Sequence, residues 1–382
     1  MNNKPIALLI HGGHIIDPSQ GLDETDSLLI SEGKISWLGK GKPPPSCPEY
    51  DILHAEGLII CPGFIDLHCH LRQPGFEEKE TIATGTQAAA KGGFTTVCCM
   101  PNTLPPLDSK ETIDYVKSIA AAEGVVRVLP IGCISKGRKG EELAKLDELA
   151  SAGAIAFSDD GSPATNSRLM RQALEYSRDL NLPIIDHCED TALSQGGVMN
   201  EGTTSTKLGL PGIPNAAEDI IVARDLALTR LTRGRLHIAH VSSEGSVGLI
   251  RRAKEKGIMV TAEVTPLHLT LTEESVIVHA TNAKVNPPLR TRKDIQALIQ
   301  GLKEGVIDII VTDHAPHTEA DKMLKFALAP PGISSLETAL GSLMSLVHAG
   351  QITLTTLVAK LTREPAKIIG NKYGKPGTLA IG

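Results

Sequence analysis

Aromatic residues are scarce in this 382-residue chain: one Trp, four Tyr and five Phe. So few rings exclude the stacking platforms that hold single-stranded nucleic acid. No Lys/Arg-rich block occurs either. The densest basic run, RRAKEK at 251–256, reads as the exposed face of a helix, and the net charge is −6. That balance argues against nucleic acid as a partner. No apolar run approaches the roughly 18 residues of a membrane span. The opening MNNKPIALLIHGG holds a run of five apolar residues, IALLI, without the length or cleavage pattern of a signal peptide. The seven cysteines (Cys47, Cys61, Cys69, Cys98, Cys99, Cys133 and Cys188) are odd in number and form no C-x-x-C pair. Most sit inside apolar strand-like runs, which fits reduced, buried thiols in a cytoplasmic protein.

What is present is ample apolar material, 41% of the chain, with 36 Gly and 24 Pro. This predicts one large domain with many tight loops, alone or with a small companion. Residues 1–60 read as short strands, ALLIHGGHII, SLLISEGKISWLG and DILHAEGLII, punctuated by Gly12-Gly13, Glu32-Gly33 and Glu56-Gly57. KGKPPPSCP at 40–48 suits neither a helix nor a central strand. From residue 60 the texture changes. Eight apolar runs follow: LIICPGFIDLH, FTTVCCM, VVRVLPIG, AIAFS, LPIIDH, RLHIAH, IMVTAEV and VIDIIVT. Helical patterns such as KETIATGTQAAAKGG and SRLMRQALEYSRDLN separate most of them. Continuous apolar runs suggest parallel strands buried on both faces. Eight such units in residues 61–350 point to an α/β fold, a (β/α)₈ TIM barrel. A doubly wound sheet is the second choice, but no G-x-G-x-x-G follows the first strand. Residues 265–300, with NPPLR at 286–290, read as irregular, including a long loop after the seventh strand.

In such a barrel, chemistry gathers where the strands end. The first run ends in His68-Cys69-His70, and residues two apart on a strand point the same way, so both imidazoles can face one ion. The fourth ends in FSDDG (Asp159, Asp160), the fifth in DHCED (Asp186, His187, Glu189), the sixth in His240, and the eighth in TDHAPH (Asp313, His314, His317). Each alone has a plain explanation. A single histidine is usually a satisfied polar residue, and Asp-Asp-Gly is usually a turn or a cap. Five strand ends together are different, because buried carboxylates without a cation repel one another and lose solvation. Imidazole and carboxylate without thiolate suit Zn²⁺, with Mn²⁺ or Co²⁺ as alternatives. Cys69 and Cys188 alternate away from the histidines and read as packing residues.

This set of H-x-H, Asp, His, His and a final Asp resembles the amidohydrolase superfamily. GFIDLHCHLRQPGFEEKETIATGTQAAAKGGFTTVCCMPNTLP, FSDDG, DHCED, HIAHVSSEGSV, VTAEVTP, NAKVNPPLR and TDHAPH look like the class I dihydroorotases, from about residue 5 to the end. The resemblance implies a barrel beside a small β-sandwich formed by the chain termini: 1–60 as its N-terminal part, 351–382 as a C-terminal helix and the start of a shortened segment. Because the chain stops at GTLAIG, that sandwich would lack its C-terminal half. The resemblance further implies two zinc ions. His68, His70 and Asp313 would hold one, His187 and His240 the other, and Asp160 would bridge them, since AIAFSDDG offers no lysine for that role. It implies that Arg72 and Asn102 contact a substrate carboxylate, with Asn282, His317, Pro331 and Gly332 as further contacts. Three departures stand out: Gln73 where Glu is usual, Leu267 in TPLH, and Pro331 in APPG.

The implied activity is the reversible cyclisation of N-carbamoyl-L-aspartate to L-dihydroorotate in pyrimidine biosynthesis. Asp313 would be catalytic, moving a proton between the attacking water and the leaving ring nitrogen. Synthesis would then be favoured at lower pH. Two alternatives remain open. One is another cyclic amidohydrolase, an allantoinase or a dihydropyrimidinase/hydantoinase, against which Arg72 with Asn102 and the absent bridge lysine argue. The other is a catalytically silent, dihydroorotase-like scaffold protein, whose mark would be lost ligands; all six positions are filled. The expected partner is the small-molecule substrate, with no nucleic acid or membrane. A homo-oligomer or an association with aspartate carbamoyltransferase stays open.

Overall fold

The computed structural model describes residues 7–45 and 47–382. Residues 1–6 of the expected N-terminal part, and Ser46 within its Pro-rich stretch, lie outside the described residues. The chain divides into two units. One runs to Ile65 and resumes over Thr353–Gly382; the other is Asp66–Ile352. No helix among the described residues is long and apolar enough to cross a membrane.

The first unit is built on one five-stranded sheet: β1 (Ala7–Asp17), β2 (Leu22–Ser31), β3 (Lys34–Gly39), β4 (Tyr50–His54) and β5 (Ile59–Ile60), in the order β3-β2-β1-β4 with β5 beside the far end of β1. Glu32 and Gly33 join β2 to β3 with positive φ at both (54° and 73°), the requirement of a type I′ turn. The β1–β2 register shifts between Ile10 and Gly13. Gly12 carries that irregularity at φ 75°, and a Cβ on Gly13 would come within 2.4 Å of the Ile60 side chain. The C-terminal return forms two helices, Leu354–Leu361 and Arg363–Ile369, where one was expected. Thr353 caps the first, its side chain accepting from the Thr356 N–H. The tail beyond forms no strand. Gly374, Pro376 and Gly377 interrupt it, and it is tied down by Leu379, which packs with Ile15 and Leu28 while its N–H donates to Asp17 at 2.6 Å.

The second unit begins along β6 (Phe64–Cys69) and continues through β7 (Phe94–Cys99), β8 (Arg127–Pro130), β9 (Phe157–Ser158), β10 (Ile184–Asp186), the side ribbon β11 (Met199–Asn200) and β12 (Gly212–Ile213), then β13 (Leu236–Ile238), β14 (Val260–Val264) and β15 (Ile309–Ile310). Two runs of paired strands result, β6-β7-β8 and β9-β10-β13-β14-β15. Parallel bridges join them at both ends, Gly132 with Phe157 and Cys69 with His314. At the second seam His70 N–H donates to the His314 carbonyl (2.8 Å) and Asp313 N–H to the His68 carbonyl (3.0 Å). The pairings therefore run in a ring of eight strands. β6 is buried at every position, as a strand covered on both faces must be. Helices intervene, among them Ile82–Lys91, Lys110–Glu123, Ala216–Thr232 and Arg292–Glu304. Thr81, Ser109 and Thr291 start three of these with capping boxes.

Residues 265–300 are more regular than expected. Thr265 caps a short helix, Pro266–Thr270, with proline in its first turn; Ser275–His279 and a 3₁₀ turn at Ala280–Ala283 follow. Short polar caps are easily read as loop when the helices they start last one turn.

Candidate metal centre

The two-residue period of β6 places His68 and His70 on one side, and both are buried. Cys69 turns the other way, its Sγ toward the Cys98 carbonyl at 3.4 Å. Around this pair the ends of four other strands converge. Asp160 stands at the centre. Its Oδ2 lies 3.4 Å from His68 Nε2 and 3.5 Å from His70 Nε2, and its Oδ1 lies 3.4 Å from His240 Nε2 and 3.6 Å from His187 Nδ1. Asp313 Oδ1 reaches His70 Nε2 at 3.1 Å and His68 Nε2 at 3.6 Å. His187 Nδ1 and His240 Nε2 are 2.9 Å apart. The structure thus brings all six expected ligands together. Arg72, His240 and Asp313 sit at positive φ (63°, 29° and 46°), strain of the kind that concentrates at working sites. Asp159 faces away: its Oδ1 accepts the N–H groups of Ile134 (2.9 Å) and Ser135 (3.1 Å), and its Oδ2 the Ser135 hydroxyl.

The cluster fits a divalent cation. His68 Nε2 and Asp160 Oδ1 are buried without a hydrogen-bond partner. Such atoms carry a desolvation cost that a metal would remove. The ligand sets His68–His70–Asp313 and His68–Asp160–His240 each bring three donor atoms within 4.8 Å of one another. A third convergence, Asp186, Cys188 and Asp225, already has a cation, since Arg224 Nη2 lies 2.7 Å from Asp225 and 3.4 Å from Asp186. Charge at the main cluster is strongly redistributed. Burial penalises the Asp160 carboxylate, yet the surrounding imidazoles hold it well below the usual range. Burial alone would lower His187, but its contacts with Asp160 and Glu189 raise it to about 10. A bound cation would replace such a proton.

An outer layer of acceptors fixes the imidazoles. Glu263 Oε1 lies 2.6 Å from His68 Nδ1 and accepts the His240 backbone N–H at 3.1 Å, while its Oε2 meets His237 Nε2 at 2.9 Å. Asn102 Oδ1 lies 2.9 Å from His70 Nδ1, and Glu189 Oε2 lies 2.9 Å from His187 Nε2. Each acceptor holds a proton on the outer ring nitrogen and leaves the inner nitrogen's lone pair for the centre. Sequence reasoning missed Glu189 and Glu263 in this role. The available signals were the place of Glu189 in DHCED at a strand end and, for Glu263, an acidic side chain inside the apolar run IMVTAEV.

Beside the cluster lies a cavity of about 190 Å³. Asp160, Asp313 and three of the histidines line one side; Arg72, Asn102, His317, Pro331 and Gly332 line the rest, as expected. Asn282 does not reach it. That residue is exposed on the 3₁₀ turn, and Asn286, four residues on, lines the cavity instead. Arg72 is anchored by Nε to the Pro316 carbonyl at 3.1 Å. His317 Nε2 donates to the Pro331 carbonyl at 2.8 Å, and burial, with the Arg72 guanidinium second, lowers His317 to about 4, so it is neutral at pH 7. The departures at Gln73, Leu267 and Pro331 are accommodated. Gln73 Oε1 accepts the Ile82 N–H at 2.9 Å, Leu267 packs against the cluster of Met199, Val276 and Leu289, and Pro331 acts through its backbone carbonyl.

A family profile described as "Dihydro-orotase-like" matches residues 57–246. The dihydroorotase of Caldanaerobacter subterraneus subsp. tengcongensis is 51% identical over 368 residues, 96% of this chain and 84% of that protein. The dihydroorotase of Geobacter metallireducens is 52% identical over 98% of this chain and 88% of its own. Among solved structures, the L-hydantoinase (dihydropyrimidinase) of Arthrobacter aurescens superposes with a TM-score of 0.85 at 23% identity, covering 98% of this chain and 84% of the other. The D-hydantoinase (dihydropyrimidinase) of Thermus sp. gives 0.80 at 26% identity over 98% and 84%. These structures share the TIM-barrel type of fold. With half the residues identical over nearly its whole length, the chain belongs to the dihydroorotase family.

Proposed function

We propose that His68, His70 and Asp313 hold one zinc ion, that His187 and His240 hold a second, and that Asp160 bridges the two at the mouth of a (β/α)₈ barrel. The enzyme is a dihydroorotase, a cyclic amide hydrolase, and acts on L-dihydroorotate and N-carbamoyl-L-aspartate. The observation that carries the site assignment is Asp160, which turns one oxygen to His68 and His70 and the other to His187 and His240. The ring of strand pairings, closed by the bridge between Cys69 and His314, supports the barrel.

When bound, zinc supplies Lewis acidity that brings the pKa of water toward roughly 7 and polarises a carbonyl. The chain's own residues do the rest. Arg72 offers a permanently charged, planar fork to the substrate carboxylate, and the Pro316 carbonyl holds its Nε in place. Asn102 keeps its carbonyl oxygen on His70, which leaves its amide N–H groups as donors to substrate. Asp313 takes a proton from the attacking water and passes it to the ring nitrogen as the C–N bond breaks. In the direction of synthesis the same carboxyl returns the proton as water leaves. The His317 imidazole, kept neutral by burial, fixes the Pro331 carbonyl at the cavity wall without adding charge beside Arg72.

The test is to purify the protein, measure bound metal by mass spectrometry, and assay L-dihydroorotate beside an uncharged dihydropyrimidine. Bound zinc with a strong preference for L-dihydroorotate is expected. Equal turnover of the two substrates would favour the activity named for the hydantoinases that share the fold.

A further inference from the structure

We propose that Glu189 is a positioning residue that uses one carboxylate oxygen to set both the tautomer of His187 and the orientation of the Asn286 amide, so that Asn286 presents its carbonyl oxygen to a substrate N–H. The inference rests on the functional reading above and adds a link between its metal and substrate sides.

The geometry is a three-way junction. Glu189 Oε2 lies 2.9 Å from His187 Nε2 and 2.9 Å from Asn286 Nδ2. His187 Nε2 and Asn286 Nδ2 are themselves 3.2 Å apart. An ionised carboxylate only accepts, so both neighbours must bring a hydrogen to it. The two nitrogens are then donors converging on one oxygen, and the short distance between them is a consequence of that convergence. Two things follow. With its proton on Nε2, His187 turns an Nδ1 lone pair inward, toward Asp160 Oδ1 at 3.6 Å and His240 Nε2 at 2.9 Å. With Nδ2 held by Glu189, Asn286 has Oδ1 left for the cavity it lines. An acceptor there recognises an N–H, which L-dihydroorotate carries on its ring and N-carbamoyl-L-aspartate on its ureido group. Were Nδ2 released from Glu189, the amide could turn it to the cavity and present a donor that repels that N–H. The Glu189 side chain is 18% exposed, so the space left by its truncation is open to water.

The experiment compares Glu189→Ala and Glu189→Gln with the wild type as zinc-loaded enzymes. Zinc affinity is read by chelator competition, and KM and kcat are read for L-dihydroorotate. Glu189→Ala should weaken zinc binding tenfold or more, the scale for losing an outer partner of a ligand histidine. It should also raise KM at least fivefold. Glu189→Gln, whose amide oxygen can accept from both neighbours, should stay within about threefold on both readouts. Adding Asn286→Ala to Glu189→Ala should raise KM no further, since the asparagine has already lost its orientation. Unchanged zinc affinity or unchanged KM in Glu189→Ala overturns the shared role, as does a further rise in KM in the double variant. A wild type that binds no zinc or leaves L-dihydroorotate intact brings down the functional reading itself, which separates the two failures.

Discussion

His68 Nδ1 stands 2.6 Å from Glu263 Oε1, and the same oxygen accepts the backbone N–H of His240. One buried carboxylate on β14 therefore orders a histidine from each of the two proposed zinc sets. Glu263→Ala should cost 10- to 100-fold in zinc affinity. It should also destabilise the fold by about 3 kcal/mol, because three buried N–H groups lose their acceptor. Chelator competition and urea unfolding read these separately. Glu263→Gln should be milder on both counts, and equal damage from Ala and Gln would show that charge, not hydrogen bonding, is what matters there.

The neighbouring aspartates should behave oppositely. Asp160→Asn removes the charge between four imidazoles and should leave the protein with little bound metal and no measurable turnover. Asp159→Asn keeps an oxygen for the Ile134 and Ser135 N–H groups and should cost about 1 kcal/mol in stability with metal retained. Metal analysis of both variants decides the assignment; a metal-poor Asp159→Asn beside a metal-replete Asp160→Asn reverses it.

Arg72→Met should lower kcat/KM for L-dihydroorotate by two orders of magnitude or more while zinc content stays at the wild-type level, since the guanidinium touches no ligand. The scale is that of a lost charge-assisted bidentate contact, about 3 kcal/mol. An activity loss that tracks zinc loss would place Arg72 in the metal site instead.

Acid should destabilise the protein through His268. Burial lowers this imidazole to about 4, and both nitrogens are already engaged, Nε2 with the Pro287 carbonyl at 2.9 Å and Nδ1 with the Thr265 hydroxyl at 2.8 Å. Below about 6.5 the unfolded chain binds a proton that the folded one refuses. The stability present above that pH is therefore lost as pH falls toward 4, with a slope of about 1.4 kcal/mol per pH unit. Urea midpoints between pH 7 and 4.5 measure it, and His268→Gln should flatten the slope.

The parts legible in the sequence are those written locally. The H-x-H pair declares itself because a strand repeats every two residues, and the eight apolar runs because buried parallel strands need no alternation. Strand length is not local: AIAFS and VIDIIVT yield only the two-residue strands β9 and β15, since backbone pairing, not composition, sets where a strand begins. Depth is not local either. Asn282 and Asn286 are equally plausible in NAKVNPPLR until the turn at Ala280–Ala283 carries the first outward. Glu263 and His68 are 195 residues apart, and nothing in either neighbourhood announces the other.

The seam between β6 and β15 has a consequence in time. His70 and Asp313 are separated by 243 residues, yet the hydrogen bonds that join their strands are also those that bring ligand to ligand. During synthesis the first histidines leave the ribosome long before their carboxylate exists. The full set of six ligands, Asp313 included, can converge only after the last strand has emerged and docked beside the first, so the centre is completed at the end of folding of this unit.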